Sequence, residues 1–383
     1  MPRPTATAST AALVFIYGDD EFAVKQRAKA LYGQWCAEAG GLDHEMIDAQ
    51  VSHSGEALKV LARLREALQT LPFFGSAKVI WLQHCNFLGD ERAAAAQAVT
   101  EDLASLADEL KRFTWENVRL LISAGKVDKR KTFYKTLEKL GTVESHAAWS
   151  MDDKDWVYEA EALARRALQE RHLEILPEAL AELVSYVGPN RRQLANEVEK
   201  LSLYASAGSE IGPEQVRAIV TRNKQARAFA LGDALGERDL PKLLRTLDEE
   251  LWTVKLDPQK SEIGLLYGLI TKVRAMLFLK EMIREGWIKP VPDYGRFKAQ
   301  LERVPAEQLP GDKRFNPLAL NPFVLYKALD HARRYSSGEL VRAMQLLLEC
   351  NQRLVSSGLD EALVLQQTLV QIVRGEKDKP KQS

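Results

Sequence analysis

The chain has 383 residues, which is enough for two or three domains with sizeable cores. Charged residues make up 28% of it and apolar residues 46%, as is typical of a soluble globular protein. Its 53 Lys and Arg residues balance its 53 Asp and Glu residues. This balance excludes a whole-chain field that attracts nucleic acid, so any such contact needs a local patch.

Cysteine and histidine usage argues against a metal centre and against a disulfide framework. Cys36, Cys85 and Cys350 lie far apart, which suits a reducing cytosol, and the six histidines do not cluster. No G-x-S-x-G motif marks a nucleophile. We therefore expect no metal, no cofactor and no catalytic residue. The apolar run from Ala11 to Tyr17 is shorter than the roughly 18 residues of a membrane span, and we interpret it as a first strand rather than a signal peptide.

The first part of the chain, residues 1–147, alternates short apolar strands with amphipathic helices. The predicted strands are ALVFIY (12–17), DHEMIDA (43–49), AKVIWLQ (77–83), VRLLISA (118–124) and the closing TVESH (142–146). Helices are predicted over residues 21–39, around the leucines from Leu58 to Leu68, over 90–111 and over 129–141, the last ended by Gly141. This alternation predicts an α/β domain with a mainly parallel sheet.

No strand is expected after Trp149, and the remaining sequence predicts helices. Ser150 is the expected N-cap of the first of them, and PEALAELVSYV, RRQLANEVEKLSLYA and the short GPEQVRAIV predict three more. We assign residues 148–220 to a small helical domain. Residues 221–383 are assigned to a second, larger helical domain.

The stretch YGDD, from Tyr17 to Asp20, spells the carboxylate pair with which some template-copying polymerases hold catalytic metal ions. In that use the pair joins two strands, and a third carboxylate from an earlier strand completes a two-metal site. Here apolar residues at helical spacing follow the turn, and only sixteen residues precede Tyr17. The sequence therefore excludes a polymerase site.

The same turn lies where a nucleotide-binding domain carries its phosphate loop. That loop needs G-x-x-x-x-G-K-[ST], whose amides and lysine hold phosphate oxygens. The turn that starts at Gly18 lacks the second glycine and the Lys-Ser/Thr pair, and it carries Asp19, Asp20 and Glu21 where triphosphate would lie. Carboxylates at a helix N-terminus satisfy its amides. We interpret the turn as a capped helix start in a domain without a phosphate loop.

The stretch LQTLPFFGSAKVIWLQ (68–83) has two interpretations. Pro72 ends the preceding helix, and Leu71, Phe73 and Phe74 stand between that helix and a strand. The rings either fold under the turn into the core or project from a rigid tip as an anchor for a partner. As an anchor, each side chain would contribute ~1.5–3 kcal/mol on burial. The residues alone leave both interpretations open.

Five stretches, in order and at matching spacing, carry a resemblance to a known family. They are IYGDDEF, LPFFGSAKVIWL, DKRKTFYKTLEKLG, YVGPNRRQLANEVEKLSLY and ARAFALGDALGERDLPKLLRTLDEEL. Through them the chain resembles, over nearly its whole length, the delta subunit of the bacterial DNA polymerase III clamp loader. The resemblance implies an α/β AAA+-like N-terminal domain lacking a phosphate loop, a small helical lid domain and an all-α C-terminal collar domain that joins a pentamer.

The resemblance also implies a function. Delta subunits bind one face of the ring-shaped sliding clamp, the beta subunit, through a hydrophobic tip, and hold one clamp interface open for loading onto primed DNA. The tip corresponds to Leu71, Pro72, Phe73 and Phe74 here. The implied partners are the clamp, the gamma/tau and delta-prime subunits and primed DNA, in the bacterial cytoplasm. The Ser-Arg-Cys motif of subunits that assist the ATPase is absent, which agrees with delta and argues against delta-prime.

A basic segment, GKVDKRKTFYKTLEKLG (125–141), is a second candidate site. Its Lys126, Lys129, Arg130 and Lys131 would face DNA phosphates, contact another subunit or form a solvated face. Two other function classes stay open: a nucleotide-binding enzyme of degenerate phosphate-loop type, and a generic protein-interaction scaffold. Failure to bind ATP separates the enzyme from a clamp opener, and failure to bind a clamp indicates the scaffold.

Overall fold

The structure of the 383-residue chain is a computed structural model. It describes residues 11–70, 77–150, 153, 155–205, 209–221, 224–256, 261–312, 315–356 and 358–375, with the backbone alone for 224–229. The described residues form two compact units, one up to Trp149 and one from Ser150 onward. The first unit contains a five-stranded sheet, and the second is helical apart from one short strand pair.

The first unit is built on a parallel sheet. Its strands are β1 (Leu13–Tyr17), β2 (Glu45–Asp48), β3 (Lys78–Cys85), β4 (Val118–Ala124) and β5 (Thr142–Ser145). They lie in the order β2-β3-β4-β1-β5, and every neighbouring pair is parallel. β1 is buried at every position, as is usual for a strand covered on both faces. The α/β architecture with a parallel sheet that the sequence predicts is confirmed.

Helices cover both faces of this sheet. They are α1 (Glu21–Ala39), α2 (Ser54–Gln69), α3 (Gln97–Arg112) and α4 (Thr132–Leu140). α1 lies on one face, where Trp35 joins Val14 and Trp81 in one core. α2, α3 and α4 share the core on the other face with Phe15 and Ile122. The sheet therefore holds the ends of its strands as fixed positions for the connecting loops.

α3 begins later than the sequence predicts. A helix is predicted over residues 90–111, whereas α3 starts at Gln97. Ahead of it, the buried side chains of Phe87, Leu88 and Ala94 join the core from turns rather than from a helix. Tertiary burial therefore decides the conformation of this connection, against the high helix propensity of its alanines.

α4 also begins later, at Thr132 rather than at Lys129. The carboxylate of Asp128 accepts the backbone N–H of Arg130 at 2.9 Å. This side-chain turn gives the backbone an alternative to the first helical turn. The predicted end at Gly141, which is the C-cap, is confirmed.

The second unit starts with a small helical part. Its elements are α5 (Trp156–Gln169), β6 (Glu174–Ile175), α6 (Pro177–Val187), α7 (Arg191–Tyr204), β7 (Glu210–Ile211) and α8 (Pro213–Ile219). Two predictions are wrong here. The first helix starts at Trp156, not after Ser150, because Asp153 accepts the backbone N–H of Asp155 in a turn. β6 and β7 form a parallel pair where no strand was expected, since two residues are too few for an alternation pattern.

The rest of the second unit is a helical bundle. Its α-helices are α9 (Lys224–Glu237), α10 (Leu240–Leu256), α11 (Glu262–Arg284), α12 (Tyr294–Leu301), α13 (Pro322–Arg333), α14 (Ser337–Ser356) and α15 (Glu361–Arg374). α11 packs against α9, α13 and α14, and its Leu266, Val273 and Met276 lie in the bundle core. No helix in the described part of the chain is long and apolar enough to cross a membrane. The all-helical C-terminal region is confirmed, and its division from the lid domain between residues 220 and 221 stays a prediction.

Candidate functional site

The predicted tip residues Leu71, Pro72, Phe73 and Phe74 lie outside the described residues. The structure does describe both flanks of the segment 71–76, which we call the tip segment. α2 ends at Gln69 on one side, and Ala77 and β3 follow on the other. The geometry of these flanks determines how firmly the tip segment is attached to the sheet.

A buried lysine ties the two flanks together. Lys78, the first residue of β3, is 2% exposed. Its ammonium group donates to the carbonyl oxygen of Ala67 in α2 at 2.9 Å and pairs with Glu45 of the edge strand β2 at 2.7 Å. A buried ammonium group is costly unless it is paired and hydrogen-bonded, and Lys78 is both. One side chain therefore holds the last turn of α2 against the start of β3.

Helix α2 is fixed on its other sides as well. Leu61 and Leu64 are fully buried in the core under the sheet. On the outer side, the largely buried Arg65 pairs with Asp102 at 2.8 Å and with Glu109 at 3.0 Å, both in α3. A guanidinium group that binds two carboxylates in a part-buried network contributes more than an isolated surface pair. The tip segment therefore leaves from a rigid base.

The turn between β1 and α1 is closed by contacts within the first unit. The backbone N–H of Gly18 donates to the carbonyl oxygens of Ala124 at 3.3 Å and Gly125 at 3.2 Å. A Cβ on Gly18, whose φ is +153°, would lie 1.9 Å from the carbonyl oxygen of His146. Only glycine fits there. The chain that follows β5 therefore runs directly against this turn.

The carboxylates of this turn act as acceptors inside the fold. Asp20 Oδ1 accepts the N–H of Ala23 at 2.9 Å and so caps α1. Asp19 Oδ1 accepts the N–H of Ala148 at 2.8 Å. A phosphate at a helix N-terminus takes such amides itself. The predicted helix cap is confirmed, and the Ala23 amide at this helix N-terminus is paired with the Asp20 carboxylate.

Lys131 of the basic segment is engaged within the first unit. Its ammonium group donates to the carbonyl oxygens of Gly89 at 2.8 Å and Ala94 at 3.2 Å. These contacts join the connection after β3 to the start of α4. Lys131 therefore has a structural role, whatever else the segment binds.

The other three cations of the basic segment, Lys126, Lys129 and Arg130, are exposed. Arg130 pairs with Asp128 at 2.9 Å, and its hydrogen bond lowers the pKa of Asp128 to about 2. The Lys129 ammonium group lies 5.5 Å from the centre of the Tyr17 ring. The three cations stay accessible to a polyanion, with part of the Arg130 charge neutralised by Asp128.

Metal and thiol chemistry depend on how the described cysteine, histidine and acidic side chains are placed. Among the described residues, no group of three or more His, Cys, Asp or Glu side chains could hold a metal ion. Cys36, Cys85 and Cys350 are free thiols. Burial raises the pKa of Cys85 to about 12, which keeps this thiol protonated and unreactive at neutral pH.

A buried carboxylate in the second unit was not predicted from the sequence. Glu182 of α6 is 0% exposed. It accepts hydrogen bonds from the Tyr186 hydroxyl at 2.7 Å and Arg217 Nε at 3.1 Å, and it pairs with Lys327 Nζ at 3.4 Å. Burial alone would raise the pKa of Glu182, but Lys327, Arg217 and Tyr186 together lower it. The signal in the sequence was an acid inside the apolar run ALAELV, which a helical pattern places on the buried face.

Lys327 extends this charge cluster into the bundle. Its ammonium group lies 3.9 Å from Asp233 of α9, which in turn pairs with Lys272 of α11 at 2.7 Å. The neighbouring His331 is neutral at physiological pH, because burial lowers its pKa to about 3. The cluster therefore joins α6 and α8 to α9, α11 and α13 through ion pairs.

Comparison with known proteins finds a family that part of the chain is similar to. Residues 15–146 match the family model described as DNA polymerase III, delta subunit. The DNA polymerase III subunit delta of Bacillus subtilis is 22% identical over 316 residues, which cover 82% of this chain and 80% of that protein. In these residues the chain is therefore similar to the DNA polymerase III delta subunit family. The family match runs from β1 to β5 and so includes both flanks of the tip segment.

Solved structures were compared as well. The Bacillus subtilis DNA clamp loader delta protein aligns with 95% of this chain and 96% of its own, at 16% identity and a TM-score of 0.42. A RuvB variant from Thermotoga maritima aligns with 58% of this chain and 67% of its own, at 10% identity and a TM-score of 0.34. The similarity to the delta family rests on the sequence matches.

Proposed function

We propose that this chain binds and opens the ring-shaped sliding clamp, so that the clamp can be loaded onto primed DNA during replication. Leu71, Pro72, Phe73 and Phe74 form the clamp-binding tip. The chain acts in a hetero-pentamer with the gamma/tau and delta-prime subunits, in the bacterial cytoplasm. The observation that carries this proposal is the delta-family match over residues 15–146, which includes the tip segment.

The flanks of the tip segment support an anchoring role. Lys78 and Arg65 hold α2 and β3 in fixed positions, so the tip segment starts and ends on a rigid base. A preorganised anchor loses less conformational entropy on binding than a loose one. Burial of Leu71, Phe73 and Phe74 would contribute ~1.5–3 kcal/mol each. Their sum approaches the binding free energy of a micromolar complex, about −8 kcal/mol.

Opening of a ring needs no bond chemistry. A protein shifts a ring toward its open form when it binds that form more tightly than the closed one. The tip attaches the chain to the clamp, and the surface beside the tip binds the open clamp interface more tightly than the closed one. Partner subunits hydrolyse ATP. In this chain the Asp20 carboxylate accepts the N–H of Ala23, at the helix start where a nucleotide-binding domain has its phosphate loop.

Calorimetry of the purified chain with the purified clamp from the same organism tests the proposal. We expect one chain to bind per ring, and Phe73→Ala/Phe74→Ala to weaken binding by ~2–4 kcal/mol, because a few central aromatic side chains dominate such interfaces. The matched control is Leu42→Ala/Met46→Ala, which removes two exposed apolar side chains elsewhere in the same unit. The control should bind as the wild type does.

Each result of this titration has a definite meaning. Equal binding by the tip variant and the wild type would place the phenylalanines in the core and the site elsewhere. No binding by a folded wild-type chain would contradict clamp opening. Binding or hydrolysis of ATP by the chain alone would favour the nucleotide-binding enzyme instead.

The exposed cations Lys126, Lys129 and Arg130 are the proposed contact with DNA or with another subunit. The triple replacement of these three residues by Gln leaves Lys131 and its structural hydrogen bonds in place. If DNA is the partner, the loader that contains this variant binds primed DNA more weakly and with a smaller salt dependence, because fewer counterions are released. If another subunit is the partner, assembly weakens instead.

A further inference from the structure

The small helical part of the second unit, from α5 to α8, packs directly against the helical bundle. We call this part the lid. Ala181 of α6 lies in one small core with Tyr294 of α12 and Phe323 of α13, and all three side chains are buried. The rings of Tyr294 and Phe323 meet edge to face, with their centres 5.6 Å apart. A shared apolar core therefore joins the lid to the bundle.

A lysine of the bundle contacts the lid next to this shared core. Lys327 lies one helical turn after Phe323 in α13, and its ammonium group pairs with the fully buried Glu182 of α6 at 3.4 Å. The same ammonium group lies 5.6 Å from the centre of the Tyr186 ring, which is also in α6. Lys327 therefore binds both a carboxylate and an aromatic ring of one lid helix.

A second lysine of the bundle repeats this arrangement on two other helices. Lys298 lies one turn after Tyr294 in α12, and its ammonium group pairs with Glu161 of α5 at 3.1 Å. It also lies 4.2 Å from the centre of the Tyr158 ring of α5. The side chains of Lys298 and Glu161 are 19% and 14% exposed, so solvent screens this pair less than it screens a surface pair.

The two ion pairs and the shared core together restrict rotation of the lid. Two domains of one chain are expected to move relative to each other unless their interface holds them. A single contact would leave the lid free to turn about it, but here α5 is bound to α12 and α6 is bound to α13. Rotation about either ion pair would break the other one, and a buried charge that loses its partner is unfavourable.

We propose that the lid and the bundle form one rigid arm, held together by Lys298 and Lys327, and that this arm moves as a single body. A displacement of the lid then moves the bundle with it. The sequence predicts two helical domains here, residues 148–220 and 221–383, and these contacts make them one mechanical body. The rigid arm concerns the second unit alone and does not rest on the proposed function.

Distances between pairs of spin labels on the full-length chain test this proposal. Cys36→Ser removes the part-exposed thiol, and the two other thiols are buried. Labels at Leu203→Cys and Leu348→Cys, both exposed, lie on the lid and on the bundle, whereas a reference pair at Tyr267→Cys and Leu348→Cys lies within the bundle. Measured by pulsed electron paramagnetic resonance, the lid–bundle distances should form one peak about as narrow as that of the reference pair.

The variant Lys298→Met/Lys327→Met removes both ion pairs. We expect it to widen the lid–bundle distance distribution at least twofold and to leave the reference distribution unchanged. The matched control is Arg296→Met/Arg333→Met, which removes two exposed cations from the same two helices and should keep the narrow peak. If the reference distribution also widens, the double variant has lost its fold, and Lys298→Met alone, which leaves Glu182 paired, then makes the same comparison.

Three results would overturn the rigid arm. A broad lid–bundle distribution without the lysine substitutions, beside a narrow reference peak, would show that the lid moves independently. An equally narrow lid–bundle peak in a folded lysine variant would show that the lysines do not hold the arm together. A lid–bundle distance that shifts when the purified clamp is added would contradict a single body. Failure of the clamp to bind would instead contradict the proposed function and leave the rigid arm standing.

Discussion

Two buried carboxylates, Asp20 in the first unit and Glu182 in the second, are stabilised in opposite ways. Asp20 is 8% exposed and accepts the N–H of Ala23 in its own helix. Glu182 depends on Arg217 of α8 and Lys327 of α13. A helix cap forms with its helix, whereas an ion pair between helices exists only once those helices have packed. The Asp20 cap is therefore a product of local sequence, whereas the charge cluster around Glu182 is a product of tertiary structure.

The largest loss of stability should follow removal of a cation from the charge cluster around Glu182. Lys327→Met leaves Glu182 with Arg217 and Tyr186 alone, and we expect it to lower the free energy of unfolding by about 3 kcal/mol, because a buried charge loses a partner. Urea unfolding measures the loss, and hydrogen exchange should localise it to α6 and α13. The control Arg333→Met removes a cation from an exposed pair in the same helix and should cost under about 0.5 kcal/mol. Equal losses of stability in Lys327→Met and Arg333→Met would show that the ion pair of Lys327 with Glu182 behaves as a surface ion pair.

The second-largest loss of stability should follow a substitution at the β1–α1 turn. Gly18→Ala places a Cβ against the carbonyl oxygen of His146, and we expect a loss of about 2 kcal/mol from the backbone shift that this forces. Gly33→Ala is the control, because its Cβ would have no atom within 4 Å and it lies inside α1. There we expect a gain of about 0.5–1 kcal/mol. Thermal unfolding of both variants checks that Gly18→Ala lowers the stability and that Gly33→Ala raises it. A Gly18→Ala variant as stable as the wild type would mean that the chain after β5 does not pack against this turn.

The cap itself should contribute less. Asp20→Ala removes the acceptor for the Ala23 amide and should cost about 1 kcal/mol, whereas Asp20→Asn should keep most of the stability, because Asn caps helices as well as Asp does. Urea midpoints of the two variants make the comparison. If Asn were as damaging as Ala, the negative charge at this position would have a role beyond capping.

The smallest effect concerns the part-exposed pair of Arg27 and Glu144, which are 2.7 Å apart. The hydrogen bond from Arg27 lowers the pKa of Glu144 to about 2, below the roughly 4.3 of an unfolded glutamate. Its contribution is therefore present in full above about pH 5 and is lost as the pH falls toward 2. Glu144→Gln should cost under about 1 kcal/mol at pH 7, since solvent screens the pair. The difference in urea midpoint between variant and wild type should shrink at pH 3, and a constant difference would contradict this assignment.

Strands buried on both faces are easy to read from the sequence. The predicted VRLLISA is β4 from Val118 to Ala124 without a shift, because a parallel strand under two layers of helices leaves an uninterrupted apolar run. Helix starts are harder. The side chains of Asp128 and Asp153 form turns ahead of α4 and α5, so these helices begin later than the helical periodicity indicates.

The candidate sites divide in the same way. The Asp20 cap could be predicted, because its partner is three residues away. The partner of Glu182 could not, because Lys327 is 145 residues further along the chain. The residues of the tip left two interpretations open, and only the family resemblance favoured an anchor. That choice stays a prediction, since Leu71 to Phe74 lie outside the described residues.

Release of a clamp from nicked circular DNA, in the absence of ATP, tests clamp opening most directly. A closed ring leaves such a circle slowly, and a protein that stabilises the open form should speed its release in proportion to its occupancy. We predict faster release with the wild-type chain and no acceleration with Phe73→Ala/Phe74→Ala at the same concentration. A wild-type chain that binds the clamp and leaves the rate of release unchanged would contradict the account.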